Sequence, residues 1–241
     1  MGKISQNISS DSLFHFVKRR EWLFQILKSK SFQARYVYEE IPELKYKVGI
    51  PMKCFCDIPL GIIKKHLNKY GKFGIGLSKE FAKRKSLSPI IYVHKNSDTL
   101  LRYLDSMRKP DIFNDPNSLL PYIKWDQRKY KSTDGKTLRD RYYDEREWRY
   151  IPKEPAFVDF TDFHENEIKK NKLEEINKQL DEDKNKYSFP FEYSDITYIF
   201  VQQDKDVDKV IEEIHKVKLP GLQSERLIAK ITTARQIERD F

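Results

Sequence analysis

The segment Tyr143-Asp144-Glu145-Arg146-Glu147-Trp148-Arg149-Tyr150-Ile151 alternates the carboxylates of Glu145 and Glu147 with the guanidinium groups of Arg146 and Arg149. Residues i and i+2 of a strand point to the same side. The spacing therefore predicts Glu145 and Glu147 on one face and Arg146 on the other. Two carboxylates at the mouth of a strand can orient a ligand or stabilise positive charge that develops in a reaction. The same residues also build a salt-bridged strand end with no chemistry, since ion-pair networks concentrate carboxylates and arginines.

Other residues carry weaker signals. His15 lies in the apolar run Leu13-Phe14-His15-Phe16-Val17, on the face of Leu13 and Val17. A histidine there is either hydrogen-bonded in a core or holds a ribose or sugar hydroxyl through its ring nitrogens. Asp57, in Cys54-Phe55-Cys56-Asp57-Ile58-Pro59-Leu60, either caps the following helix or faces a ligand. Lys64 to Lys85 holds eight Lys or Arg and a single acid, Glu80, with Tyr70 and Gly71-x-x-Gly74-x-Gly76 among them. Glycines let a backbone approach a phosphate, and Lys79 and Arg149 are candidate cations for an anionic ligand. Tyr70 offers an aromatic platform for a base or a nicotinamide ring. The glycine order matches neither a phosphate loop nor a dinucleotide fingerprint. The sequence contains no Gly-x-Ser-x-Gly, no His-Glu-x-x-His and no calcium loop, so serine and metal hydrolysis are not supported and no metal site is expected.

The bulk numbers frame these candidates. The chain has 241 residues, 39% hydrophobic and 13% aromatic, which is enough for a core. Charged residues reach 34% and the formal net charge is +9, which favours anionic partners: nucleic acid, a dinucleotide or an acidic protein. The two cysteines, Cys54 and Cys56, fit neither a disulfide framework nor a zinc site. With no signal-like or membrane-length apolar run, a cytoplasmic protein without a membrane partner is expected.

The elements that must position these residues follow from periodicity. Leu13 to Val17 reads as a buried strand, followed by a helix with Trp22, Leu23, Ile26 and Leu27 on its apolar stripe. Phe32 to Glu40 fits either type and is broken at Pro42. A strand is expected at Met52 to Cys56, then a helix from Pro59 to about Tyr70 capped by Gly71. Strands follow at Phe73 to Leu77 and Pro89 to His94, with Ser78 as a helix cap between them and a helix over 97–108. From Lys109 to Tyr143 the periodicity is lost among three prolines, Asp134-Gly135 and many charges, and a long loop is expected. Residues 164–186 read as a charged surface helix with Ile168, Leu173, Ile176 and Leu180. Then come a strand at Ile196 to Val201, a helix face of Val207, Val210, Ile211 and Ile214, and a last strand at Leu227 to Ile231. Strands and helices mix without a βαβ rhythm. The expected fold is α+β, one domain over 1–241 with a mixed, largely antiparallel sheet flanked by helices.

Four blocks carry a family resemblance: Ser12-Leu13-Phe14-His15-Phe16, Cys54 to Leu60, His66-x-x-x-Tyr70-Gly71-x-Phe73-Gly74-Ile75-Gly76-Leu77-Ser78-Lys79-Glu80, and Glu145-x-Glu147-Trp148-Arg149. Together the chain resembles the AbiGi family, described as antitoxins of bacterial abortive phage resistance. The resemblance implies a defence role, with a nucleotidyltransferase-like toxin encoded beside it as partner. A more distant similarity of layout, to ADP-ribosyltransferases, implies another role: His15 orients NAD, Tyr70 or Asp57 lines the nicotinamide pocket, Glu147 stabilises the oxocarbenium ion and Glu145 orients the acceptor. The readings to weigh are thus an antitoxin or regulatory partner, an NAD-dependent effector, and an RNA-binding or RNA-cleaving protein on the basic surface.

Overall fold

The computed structural model describes residues 8–41, 46–94, 96–106, 118–131, 136–163, 165–183 and 185–240. The protein is α+β. The first part of the chain forms β1 (Ser12–Val17), α1 (Arg20–Ser29), β2 (Ser31–Gln33), β3 (Arg35–Ile41), β4 (Tyr46–Cys56), α2 (Lys64–Tyr70), β5 (Phe73–Ser78) and α3 (Lys79–Arg84). The middle forms β6 (Ser88–Pro89), β7 (Ile91–Val93), α4 (Asp98–Ser106), β8 (Ile123–Trp125), β9 (Gln127–Lys131), β10 (Thr137–Arg141), β11 (Glu147–Tyr150) and β12 (Val158–Asp159). The last part forms α5 (Asn166–Glu182), β13 (Ser188–Pro190), β14 (Ile196–Val201), α6 (Asp204–Lys216), α7 (Gln223–Ile228), β15 (Ile231–Thr233) and α8 (Ala234–Asp240). Among the described residues, no helix is long and apolar enough to cross a membrane.

The chain divides into two compact units made of separated stretches. The first draws on the described residues of Met1–Phe32, Cys54–Leu87 and Phe189–Phe241, the second on those of Gln33–Lys53 and Ser88–Ser188.

In the first unit the strand order is β15-β14-β5-β1-β4. Only β14 and β15 run parallel there; the other pairs are antiparallel. Strand alternation sends Phe14 and Phe16 into a core with Ile58, Ile63, Leu67, Phe200 and Ile237. On the opposite face, the His15 ring meets those of Phe32 and Phe55. A Cβ added at Gly74 would stand 2.7 Å from the Phe16 ring, and one at Gly76 2.9 Å from that of Phe14. The glycine run therefore admits the aromatic rings of the neighbouring strand rather than a phosphate. Gly71 caps α2 at φ 124°, and its N–H donates to the Leu67 carbonyl at 2.9 Å. Ser78 caps α3 by accepting the Phe81 N–H at 3.2 Å.

Two expectations shift in this unit. Trp22 is 44% exposed on α1, because Leu23 and Leu27 occupy the buried stripe and Trp22 falls beside it. The final strand lies later than expected. Residues 223–228 coil into α7, burying Ser224 and Leu227, and the strand starts only at Ile231, in the β-branched run Ile231-Thr232-Thr233.

The second unit resolves the ambiguous run after Phe32 as strand. β3 and β4 pair antiparallel from Arg35↔Met52 to Ile41↔Tyr46, and β12 pairs with β4 at Val158↔Gly49. Pro42 lies outside the described residues. The strand expected over Pro89–His94 is split into β6, which pairs with β11, and β7, which pairs with β8; the Ile90 N–H still donates to the Glu147 carbonyl of β11, at 3.1 Å. The loop expected over 109–143 is contradicted where the chain is described. It holds β8, parallel to β7, and the β9–β10 hairpin. Strands of three to five residues among prolines and charges are too short to register as alternation. Its 109–117 and 132–135 portions, with Asp134-Gly135, lie outside the described residues, as do positions 107 and 108 of the helix expected over 97–108.

The charged run at 164–186 contains α5, whose Ile176 and Leu180 pack with Tyr36 and Phe160. Polar groups fix its register as well. The Asn177 side chain accepts the Tyr36 N–H and donates to the Tyr36 carbonyl, both at 2.9 Å. Gln33 donates from Nε2 to the carbonyls of Leu180, Asp183 and Lys186 at the helix end. Replacing Asn177 by Ala leaves both Tyr36 backbone groups unpaired at a buried position. The expected cost is about 1–3 kcal/mol, read as a lower urea midpoint with unchanged m-value. Asn177→Ala at wild-type stability would show that the apolar stripe alone holds α5.

Candidate functional site

The two carboxylates of the Glu-Arg-Glu run come together, but not as a strand. Tyr142–Glu145 is a 3-10 turn, Arg146 takes the left-handed conformation at φ 43°, and only Glu147 begins β11. The reversal at Arg146 replaces the expected i, i+2 alignment. The true i, i+2 pair is Glu147 and Arg149, both buried on one face of β11.

Lys124 of β8 sits where the carboxylates converge. Its Nζ donates to Glu147 Oε2 at 2.7 Å and lies 3.2 Å from Glu145 Oε2. Arg149 is 0% exposed. Its Nε donates to Glu147 Oε1 at 2.7 Å, one terminal nitrogen to the Pro121 carbonyl and the other to Glu39 Oε1, each at 2.6 Å. Both oxygens of Glu147 are thus held by cations. The backbone of Glu147 is clamped too: its N–H donates to the Tyr92 hydroxyl at 2.9 Å and its carbonyl accepts from Ile90 at 3.1 Å. Lys124 also lies 4.7 Å from the centre of the Tyr142 ring.

The electrostatics follow from burial and charge. Burial alone lowers the affinity of Lys124 for its proton, but Glu147, Glu39 and Glu145 outweigh it against the opposing charge of Arg149, and the net shift is upward. Burial pushes the Tyr92 hydroxyl well above the usual phenol range, despite the Glu147 N–H it accepts. The cluster therefore holds a cationic lysine and a neutral phenol. Sequence reasoning missed Lys124, Glu39 and Tyr92. Each is an ordinary strand residue by type, and nothing local links Glu39 to a strand more than a hundred positions later.

The remaining candidates fall in the other unit, apart from Glu145, Glu147 and Arg149. His15 Nδ1 lies 3.0 Å from the Cys54 carbonyl, between aromatic rings. Asp57 and Lys79 are brought together at 3.0 Å. Asp57 does not cap a helix: Oδ1 accepts the Ser10 N–H at 2.7 Å and Oδ2 accepts the Ser9 hydroxyl at 2.8 Å, so it pins the segment before β1. The Tyr70 ring packs against that of His66, tilted by 35° with ring centres 4.4 Å apart. The β1–β5 register runs from Ser12↔Ser78 to Val17↔Phe73. Lys79 and Tyr70 thus flank opposite ends of a ladder about 17 Å long. Among the described residues, no group of three His, Cys, Asp or Glu is placed to hold a metal ion.

A family model described as "Putative abortive phage resistance protein AbiGi, antitoxin" matches residues 30–202. That span contains the whole ionic cluster, together with Asp57, Tyr70 and Lys79, and leaves out His15. Abortive phage resistance protein AbiGi of Lactococcus lactis subsp. cremoris is 30% identical over 252 residues, covering 88% of this chain and 100% of that protein. No solved structure matches. The chain belongs to the AbiGi family of abortive phage resistance proteins.

Two outcomes follow from the cluster. Arg149→Met strips buried acceptors of their cation, and removing one partner of such a network costs about 3–5 kcal/mol, measured by urea unfolding; a loss under about 1 kcal/mol would mean that the pairs act like solvated ones. The second concerns pH. The folded pKa of Lys124 is raised, so its stabilisation is complete below the ordinary lysine value of about 10.4 and is lost as pH rises through the folded value. The stability difference between wild type and Lys124→Met should stay level from neutral pH to about pH 9 and shrink only above about pH 10. A difference that stays level or grows above about pH 10 would show a lysine with no raised pKa.

Proposed function

We propose that this chain is the antitoxin or regulatory partner of a nucleotidyltransferase-like toxin in a cytoplasmic anti-phage module, and that it works by binding that protein. The family description supports the antitoxin role. The observation that carries the reading is the state of Glu147: Lys124 holds one carboxylate oxygen and Arg149 the other, each at 2.7 Å. A carboxylate that stabilises an oxocarbenium ion must present its charge to substrate. Here that charge is spent on two internal cations. To accept a proton, Glu147 would have to give up charge-assisted bonds of the stronger kind. Glu145 shares Lys124 and is itself buried. The arrangement suits a rigid framework for a binding surface.

The competing reading is the NAD-dependent effector of ADP-ribosyltransferase type, with Glu147 and Glu145 beside Tyr92. Co-expression with the product of the neighbouring gene separates the two. A tagged chain should retain the partner through size exclusion and relieve its toxicity, and the chain alone should release no nicotinamide from NAD. The proposal is overturned if the isolated chain cleaves NAD and Glu147→Gln abolishes cleavage while keeping its circular dichroism and urea midpoint. The stability control is essential, because Gln at 147 places an amide N–H against Lys124 or Arg149 and weakens the cluster for reasons unrelated to chemistry.

A further inference from the structure

A hollow of about 330 Å³ opens in the first unit where α1, α6 and the turn before β14 come together. Two apolar stripes run into it. On α1, Leu23 and Leu27 are buried, but Phe24 beside them is half-buried and lines the hollow. On α6, Val210 and Ile214 are buried. Val217 and Leu219 carry the stripe past the helix end, where they are half-buried and line the hollow too. The fold itself thus leaves apolar walls facing a space that close packing elsewhere would fill.

The polar groups around the hollow differ in what already holds them. The Tyr193 hydroxyl donates to the Leu27 carbonyl at 2.9 Å, so it serves the end of α1. Glu213 and Lys216 pair at 2.6 Å and offset each other. Lys28 also lines the hollow, is exposed, and makes no ion pair among the described residues. Its place in the last turn of α1 suits the helix dipole, but that role needs no apolar hollow beside it. Two lysines against one glutamate leave the lining with a single positive charge, carried at Lys28.

An apolar body with one negative charge answers both features. The volume lies at the small end of ligand sites, which run to roughly 300–1,000 Å³. At about 30 Å³ for each water-sized group it admits roughly eleven of them, the size of a medium-chain carboxylate. Burying such a chain removes water from Phe24, Val217 and Leu219 together, and a lysine on its flexible stem can reach the headgroup. A sugar or nucleotide would bring hydroxyls and phosphates that these walls cannot satisfy. We propose that the hollow between α1 and α6 binds a monoanionic amphiphile, a medium-chain carboxylate, with Phe24, Val217 and Leu219 around its chain and Lys28 at its headgroup. The site stands apart from the partner-protein reading, which rests on the second unit.

The test is isothermal titration calorimetry of the full chain with octanoate, hexanoate, octanol and octylamine. Octanoate is expected to bind with a Kd of about 0.1–1 mM. Hexanoate, shorter by two methylenes, should bind about tenfold more weakly, octanol several-fold more weakly, and octylamine not measurably. Lys28→Glu should lose octanoate and gain octylamine. Because Lys28 is exposed, that variant should keep the circular dichroism and urea midpoint of wild type. Val217→Trp fills the space and should abolish octanoate binding. The proposal fails if octanoate shows no binding by about 10 mM, if hexanoate or octylamine binds wild type equally well, or if Lys28→Glu binds octanoate like wild type. Octanol binding as tightly as octanoate would also overturn it, and would assign the hollow to an uncharged occupant such as an apolar side chain of a partner protein.

Discussion

The second unit is organised around a guanidinium group removed from water. An arginine cannot shed its charge inside a protein, so burying Arg149 obliges the chain to bring acceptors to it. They come from three separate stretches: Glu147 on β11 itself, Glu39 on β3, and the Pro121 carbonyl in the turn before β8. The demand then spreads, since the carboxylates gathered for Arg149 draw in Lys124 of β8, and Lys124 engages Glu145. Buried ion pairs of this kind add little net stability over apolar packing. What they do is penalise every arrangement in which the partners fail to meet. The apolar core of the same unit, built on Tyr36, Phe160, Ile176 and Leu180, has no such directional requirement.

Much of the fold was legible because its signals are local. The apolar alternation of β1, the Ser78 cap, the Gly71 stop and the α6 stripe each need only a few neighbouring residues, and the α+β class followed from them. The failures have a common cause. β6 to β10 are two to five residues long, below the length at which a period can be recognised. Residues 227–231 contain Leu and Ile in an order that serves helix and strand alike, and the buried side of α7 decided between them. The division into units left no mark either. The chain crosses between them within β2, β4 and β13 and just before β6, where no flexible, polar linker is present.

The site was half legible for a related reason. Glu145, Glu147 and Arg149 advertise themselves by clustering in sequence, so their joint use was foreseeable. Their partners did not, because Lys124 and Glu39 gain significance only from strand pairing. The partners decide the chemistry. A Glu-Arg-Glu run reads as acid–base machinery as long as its carboxylates are imagined free, and as scaffolding once Lys124 and Arg149 are placed against Glu147. The left-handed Arg146 sharpens the point. The expected convergence of the two carboxylates is real, but a turn produces it, and a turn that aims both at one ammonium group has a structural purpose in its own right.

The same rule extends beyond this cluster. Among the described residues the buried carboxylates are Asp57, Glu145, Glu147, Asp195 and Asp206. Each has a basic partner: Lys79, Lys124, Lys124 with Arg149, Arg84 and Arg20 respectively. Lys124 and Arg149 are themselves withdrawn from solvent, whereas Arg84 and Arg20 reach their acids from the surface. The formal charge of +9, which the sequence cannot assign to any place, is left to the surface, where it acts on what the protein binds.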